Sequence, residues 1–200
     1  MLNSQLRAEL LAMQHADESL RAELANANAL EGHHYVPAML AVHEQNAARL
    51  TQILDAHGWP HEQLVSADGA YAAWLIAQHS ICDPPLQRRA LALLEKESLA
   101  QNVPRWQPAY LSDRIAMYEG RPQKYGTQWL TDPRDGLERP WPCESPENVD
   151  TLRASLGLKP LPPIPPPGPP LPAAEQSALR ENEHWWKRWL ASRGWPILTP

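Results

Sequence analysis

The chain has 200 residues, 43% hydrophobic and 20% charged, with a formal net charge of −5. That is enough for one ordinary domain with a sizeable core plus an appendage. An acidic balance without basic clusters argues against nucleic acid as a main partner, and no run approaches the ~18 apolar residues of a membrane span.

Cys82 and Cys143, far apart and the only cysteines, suggest neither a disulfide framework nor a Cys-rich metal site. The start, MLNSQLRAELLAMQHADESL, carries charges every few residues and lacks the apolar core of a signal peptide. A soluble, cytoplasmic protein of bacterial type is the expectation.

Helical periodicity opens the chain. A first helix is predicted from about Ser4 to Asn28, with Leu6, Leu10, Met13, Leu20 and Leu24 on its stripe. Asp17 lies among them, four residues from Arg21, so the two can pair across a turn or Asp17 can orient a group from another helix. Glu31 to Tyr35 reads as a connection. The helix from Pro37 to the Gly58-Trp59-Pro60 stop is the centre of the pattern. Met39, Leu40, Ala47, Leu50, Ile53 and Leu54 share its core stripe with His43, Asn46 and His57. Polar side chains on a core face need partners.

A third helix is expected from about Gly69 to Ile81, capped by Ser66 or Asp68, with Gln78 and His79 at the edges of its apolar face. Asp83-Pro84-Pro85 stops it and starts a fourth helix, to about Leu99, with Gln87 on its core face. A fifth follows Pro108, where Tyr110, Leu111, Met117 and Tyr118 share a face with Arg114, beside Asp113. Gln123–Leu130 and Leu137–Trp141 read as two short strands in a hairpin lying on the helices. Strand alternation pairs Tyr125 with Thr127 on one face and Gly126 with Gln128 on the other. Ser145-Pro146-Glu147 starts a short helix, with Gly157 as its stop. Residues 159–172, KPLPPIPPPGPPLP, read as a polyproline II linker, with a ligand for a proline-binding domain as the lesser alternative. The last helix, Ala174 to Arg193, carries Trp185, Trp186 and Trp189, which should dock on its own domain or on a partner. Arg193-Gly194-Trp195-Pro196 echoes His57-Gly58-Trp59-Pro60. That echo marks Gly58, Trp59 and Pro60 as architectural.

The fold class is therefore mainly α: a bundle of about five helices with a small hairpin, a Pro-rich linker and a Trp-rich C-terminal helix. The expected division is 1–158, 159–172 and 173–200.

His57-Gly58-Trp59-Pro60, Gln78-His79, Asp113-Arg114 and Gln123-x-Tyr125-Gly126-Thr127-Gln128, in this order and spacing, resemble a bacterial family catalogued as a domain of unknown function. Asp17-x-x-x-Arg21, Asn46 and Gly157-Leu158 also match, and the resemblance spans roughly Leu6 to Leu161. Ser66 stands where the family pattern has glycine. The resemblance implies a domain and no activity.

Asp17, His43, Asn46, His57, His79, Gln87 and Arg114 come from five consecutive predicted helices. An unpaired buried polar group costs about 1–3 kcal/mol, so gathering them around one polar pocket is cheaper than scattering them. Acid–base catalysis on a small anionic substrate would use His57 and His79 as acid and base, oriented by Asp17. Arg21, Asn46 and Arg114 would bind substrate, with Tyr125, Thr127 and Gln128 closing the pocket. No nucleophile motif favours covalent catalysis. A metal site of His43, His57, His79 and Asp17 is the alternative, without any HExxH motif to support it. A third reading is a non-catalytic module binding a protein partner through the C-terminal helix. The sequence names no cofactor and assigns no metal ligand outright.

Overall fold

The computed structural model describes residues 2–27, 29 and 34–196. Asn28 and most of the expected 31–35 connection lie outside the described residues. The chain is mainly helical with one small two-stranded sheet, and its contacts divide it into two compact units, Met1–Pro108 and Ala109–Pro200.

In the first unit, α1 (Ser4–Asn26) is capped by Asn3, whose side chain accepts from Leu6 N at 3.0 Å. α2 (Pro37–His57) begins on its proline and ends at Gly58, held at φ 69°. Trp59 then folds into the core, 2% exposed. α3 (Glu62–His79) packs against α1 and buries the small residues Gly69, Ala72, Ala73 and Ala77. A Cβ on Gly69 would lie 3.0 Å from Val65 Cβ and 3.3 Å from Arg7 Cγ of α1, so a larger residue there would push on both neighbours.

α3 starts earlier than the expected Gly69 because Glu62–Val65 already form a turn. The chain then breaks at Ser66 (φ 63°, ψ 168°) and resumes. That conformation is the province of glycine, so Ser66 holds it under strain. Asp83 caps α4 (Pro84–Leu99) by accepting from Leu86 N. Gln87, fully buried, donates to the carbonyls of Ala77 and Gln78 at 2.9 and 3.1 Å. It thus satisfies the open end of α3 and holds the turn that carries His79. Leu10, Leu50, Ile53, Ile76 and Leu94 make the apolar centre, each worth about 1.5–3 kcal/mol of burial.

The boundary between the units falls in the first turn of α5 (Trp106–Tyr118). In the second unit, β1 (Trp129–Thr131) and β2 (Glu138–Pro140) pair antiparallel, Leu130 opposite Arg139. Both strands are shorter than expected. Residues 123–128 are not strand but a loop, with one parallel bridge from Gln123 to Cys143. A 3-10 turn (Pro146–Asn148) leads into α6 (Val149–Ala154).

The proline-rich segment is strapped to its own unit by its few amides. Leu161 N donates to Asp150 Oδ1, Gly168 N to Asp135 Oδ2, and Leu171 N to the Arg134 carbonyl. α7 (Ala173–Ser192) follows and anchors through Leu190 and Trp195, 6% and 2% exposed. Trp195 meets the Tyr118 ring at 5.3 Å. Trp185, Trp186 and Trp189 pack on one another, half-buried, beside a cleft of about 700 Å³ lined by α7, the hairpin and the end of α5. The helix therefore docks on its own chain, with Leu190 and Trp195 rather than those three tryptophans as its anchors.

Candidate functional site

Three helices of the first unit bring Asp17, His43 and His79 together. Asp17 lies on the core stripe of α1 and is 1% exposed. His43 is on the buried face of α2, and His79 is the last residue of α3. Asp17 Oδ2 stands 2.8 Å from His79 Nδ1 and 3.2 Å from His43 Nε2. The first contact is a hydrogen bond; the second is off the line of one. The two imidazole rings lie 5.2 Å apart. One oxygen and two ring nitrogens thus all fall within 4.8 Å of one another. Asp17 Oδ1 is buried with no hydrogen-bond partner among the described residues.

The electrostatics follow from this placement. Burial alone would raise the Asp17 carboxyl, but the close polar contacts and charge of His43 and His79 outweigh it and hold it well below the usual carboxylate range. A carboxylate kept ionised in the interior demands positive charge beside it. Protonated imidazole supplies that charge, and so does a metal ion.

The other expected residues fall elsewhere. His57 shares the angular stripe of His43 but sits on the exposed last turn of α2, about 21 Å further along at 1.5 Å per residue. It does not join His79; His43 takes that place. Leu54 and Trp59 on either side are buried, while the last turn of α2 faces His57 to solvent. Arg21 is exposed, and Asp17 turns to the imidazoles instead of to it. Asn46, one turn beyond His43 and 6% exposed, reaches the Met13 carbonyl of α1 at 3.4 Å.

Arg114, Tyr125, Thr127 and Gln128 belong to the second unit, where the expected strand alternation gives way to a loop wound around Asp113. That carboxylate, 1% exposed, accepts from the backbone N–H groups of Lys124, Tyr125 and Thr127 and from Thr127 Oγ1, at 2.8–3.1 Å. Burial nevertheless pushes its carboxyl up against those donors. Gln123 clasps the same loop, accepting from Gln128 N and donating to the Gln128 and Trp141 carbonyls. Arg153 donates to the carbonyls of Tyr125, Gly126 and Lys159. Gly126, at φ 65°, has Leu161 Cδ1 where a Cβ would come within 2.8 Å. Asp113, rather than Arg114, is the organising member of the Asp-Arg pair.

Sequence reasoning passed over two partners. Tyr35, in what reads as a connection, places its phenol on His43 Nδ1. Arg153 stood in an unremarkable short helix. Neither lies on a periodic polar position that would have drawn notice.

The fold and this centre define a helical protein with a buried carboxylate set between two imidazoles. The chain belongs to a family of unknown function, DUF6624, whose model matches residues 4–164. α7 lies beyond that match. No curated protein and no solved structure matches the chain. Among the described residues, no helix is long and apolar enough to cross a membrane.

Proposed function

We propose that Asp17, His43 and His79 form a binding site for one divalent transition-metal ion. The observation that carries this reading is the convergence of Asp17 Oδ2, His43 Nε2 and His79 Nδ1 from three helices within 4.8 Å. Two imidazole nitrogens and one carboxylate oxygen are a donor set suited to zinc, iron or manganese. Three protein ligands leave coordination positions for water or a small anion, the arrangement of catalytic rather than structural sites. The buried, partnerless Asp17 Oδ1 fits a carboxylate whose second oxygen serves the ion. Calorimetric titration of the metal-stripped protein with Zn²⁺ tests it. One ion per chain is expected, with binding lost in Asp17→Ala and His79→Ala and kept in His57→Ala. Binding that survives both losses ends the reading.

A second reading, acid–base catalysis on a small anionic substrate, is favoured by the 2.8 Å hydrogen bond that already orients His79 on Asp17. Here His43, not His57, is the imidazole beside it. A protein that binds no transition metal but turns over small anionic esters in a His79-dependent way would favour this second reading.

A further inference from the structure

His43 uses both faces of its ring. Nε2 stands 3.2 Å from Asp17 Oδ2, and Nδ1 meets the phenol oxygen of Tyr35. The tyrosine meets the imidazole edge-on, ring centres 5.6 Å apart at 60°. Tyr35 is held near this place by the start of α2, where Pro37 restricts Val36 and the Val36 carbonyl accepts the Leu40 N–H at 2.9 Å. It sits eight residues before His43, outside any helical repeat.

A neutral imidazole carries one N–H and one lone pair. To serve an ion through Nε2, His43 must keep its proton on Nδ1, and that proton needs an acceptor in a buried place. The groups facing Nδ1 decide which nitrogen is free for the metal. Tyr35 supplies an oxygen there, while its own proton can turn away.

We propose that Tyr35 is a positioning residue for His43: its phenol oxygen accepts the Nδ1–H of His43, fixes the tautomer whose lone pair is on Nε2, and aims that lone pair at the site. This rests on the metal reading of the Asp17–His43–His79 cluster. The ring of Tyr35 fills space beside His43 in either case, so the hydroxyl is the part that carries the proposal.

Tyr35→Phe removes the oxygen and keeps the ring. Titration with Co²⁺, followed by its visible ligand-field bands, reads both affinity and ligand geometry. The variant should keep its helical circular dichroism, bind Co²⁺ about 10–100-fold more weakly than the wild type, and show shifted bands. Tyr71→Phe, at an exposed position of α3, should change neither quantity. Equal affinity and unchanged bands in Tyr35→Phe overturn the proposal while leaving the metal site standing. A wild-type protein that binds no Co²⁺ overturns the metal site and this proposal together. Long-range ¹H–¹⁵N correlation of the zinc-loaded wild type gives the answer even where the variant fails to fold. His43 protonated on Nδ1 is expected; His43 protonated on Nε2 contradicts it.

Discussion

Asp17 Oδ2 and His79 Nδ1, 2.8 Å apart, tie the middle of α1 to the last residue of α3 across 62 positions of sequence. Asp17 sits in the α1–α3 contact, and Gln87 closes the turn of α3 that presents His79. Asp17→Ala should therefore cost about 1.5–3 kcal/mol of unfolding free energy in the metal-free protein, the loss of a charge-assisted buried hydrogen bond. His57→Ala, at an exposed helix end, should stay within about 0.5 kcal/mol of wild type. Urea denaturation of both variants compares them. Equal losses would mean that the Asp17 contact does not support the fold.

Ser66 holds a backbone conformation that favours glycine. Ser66→Gly is expected to stabilise the protein by about 1 kcal/mol through relief of that strain. Ser66→Ala should bring no gain, because it keeps the Cβ. A thermal melt of the pair decides it; a glycine variant that melts lower would show that Ser66 is at ease there.

Asp113→Ala would leave the N–H groups of Lys124, Tyr125 and Thr127 without their acceptor. A cost of about 3 kcal/mol or more is expected, at 1–3 kcal/mol for each group left unmet. Gly126→Ala should also destabilise, since it adds a Cβ at positive φ against Leu161. If either variant melts like wild type, the Gln123–Gln128 loop is not organised as described.

Acid should release the proline-rich strap. Asp132 is held at about 2, chiefly by its hydrogen bonds to Arg134, and Asp135 lies well below the usual range through Arg139. Both folded-state values lie below the unfolded ones. The stability these groups contribute is therefore present above about pH 4, the ordinary carboxylate value. It is lost as pH falls from there, through about 2 for Asp132 and lower still for Asp135. Gly168 and Leu171 carry the only amides between Pro165 and Pro172, and both are bonded to this turn. Hydrogen exchange at these amides, corrected for its intrinsic pH dependence, should show protection at pH 5 and lose it only well below pH 2, because Asp135 carries the Gly168 amide. Protection that persists there would mean that the carboxylates are not the clasp.

Much of this architecture can be read from the residues, because it rests on local rules. Prolines and caps start α2 and α4, Gly58 ends α2, and the apolar stripes turn toward the core. The site was legible in part. Asp17, His43 and His79 stand out as polar residues on apolar faces, but periodicity gives an angle around a helix and no depth along it. His57 and His43 look equivalent by angle, and only their positions along the helix separate them. Tyr35 acts from outside a helix, where no repeat marks it. In the Asp113-Arg114 pair the charge that is buried depends on which loop wraps the helix, a tertiary fact. Residues 123–128 look extended because Tyr125 and Thr127 alternate ahead of Trp129 and Leu130, yet a buried carboxylate with backbone donors around it sets their path instead.

The metal centre has one direct measurement. Crystals grown with Zn²⁺ and measured at the zinc absorption edge locate the ion by its anomalous signal. The expected result is a single strong peak about 2.0–2.2 Å from Asp17 Oδ2, His43 Nε2 and His79 Nδ1, with Tyr35 still on His43 Nδ1. No peak among these three residues at saturating zinc, or a peak only at exposed His57, would contradict it.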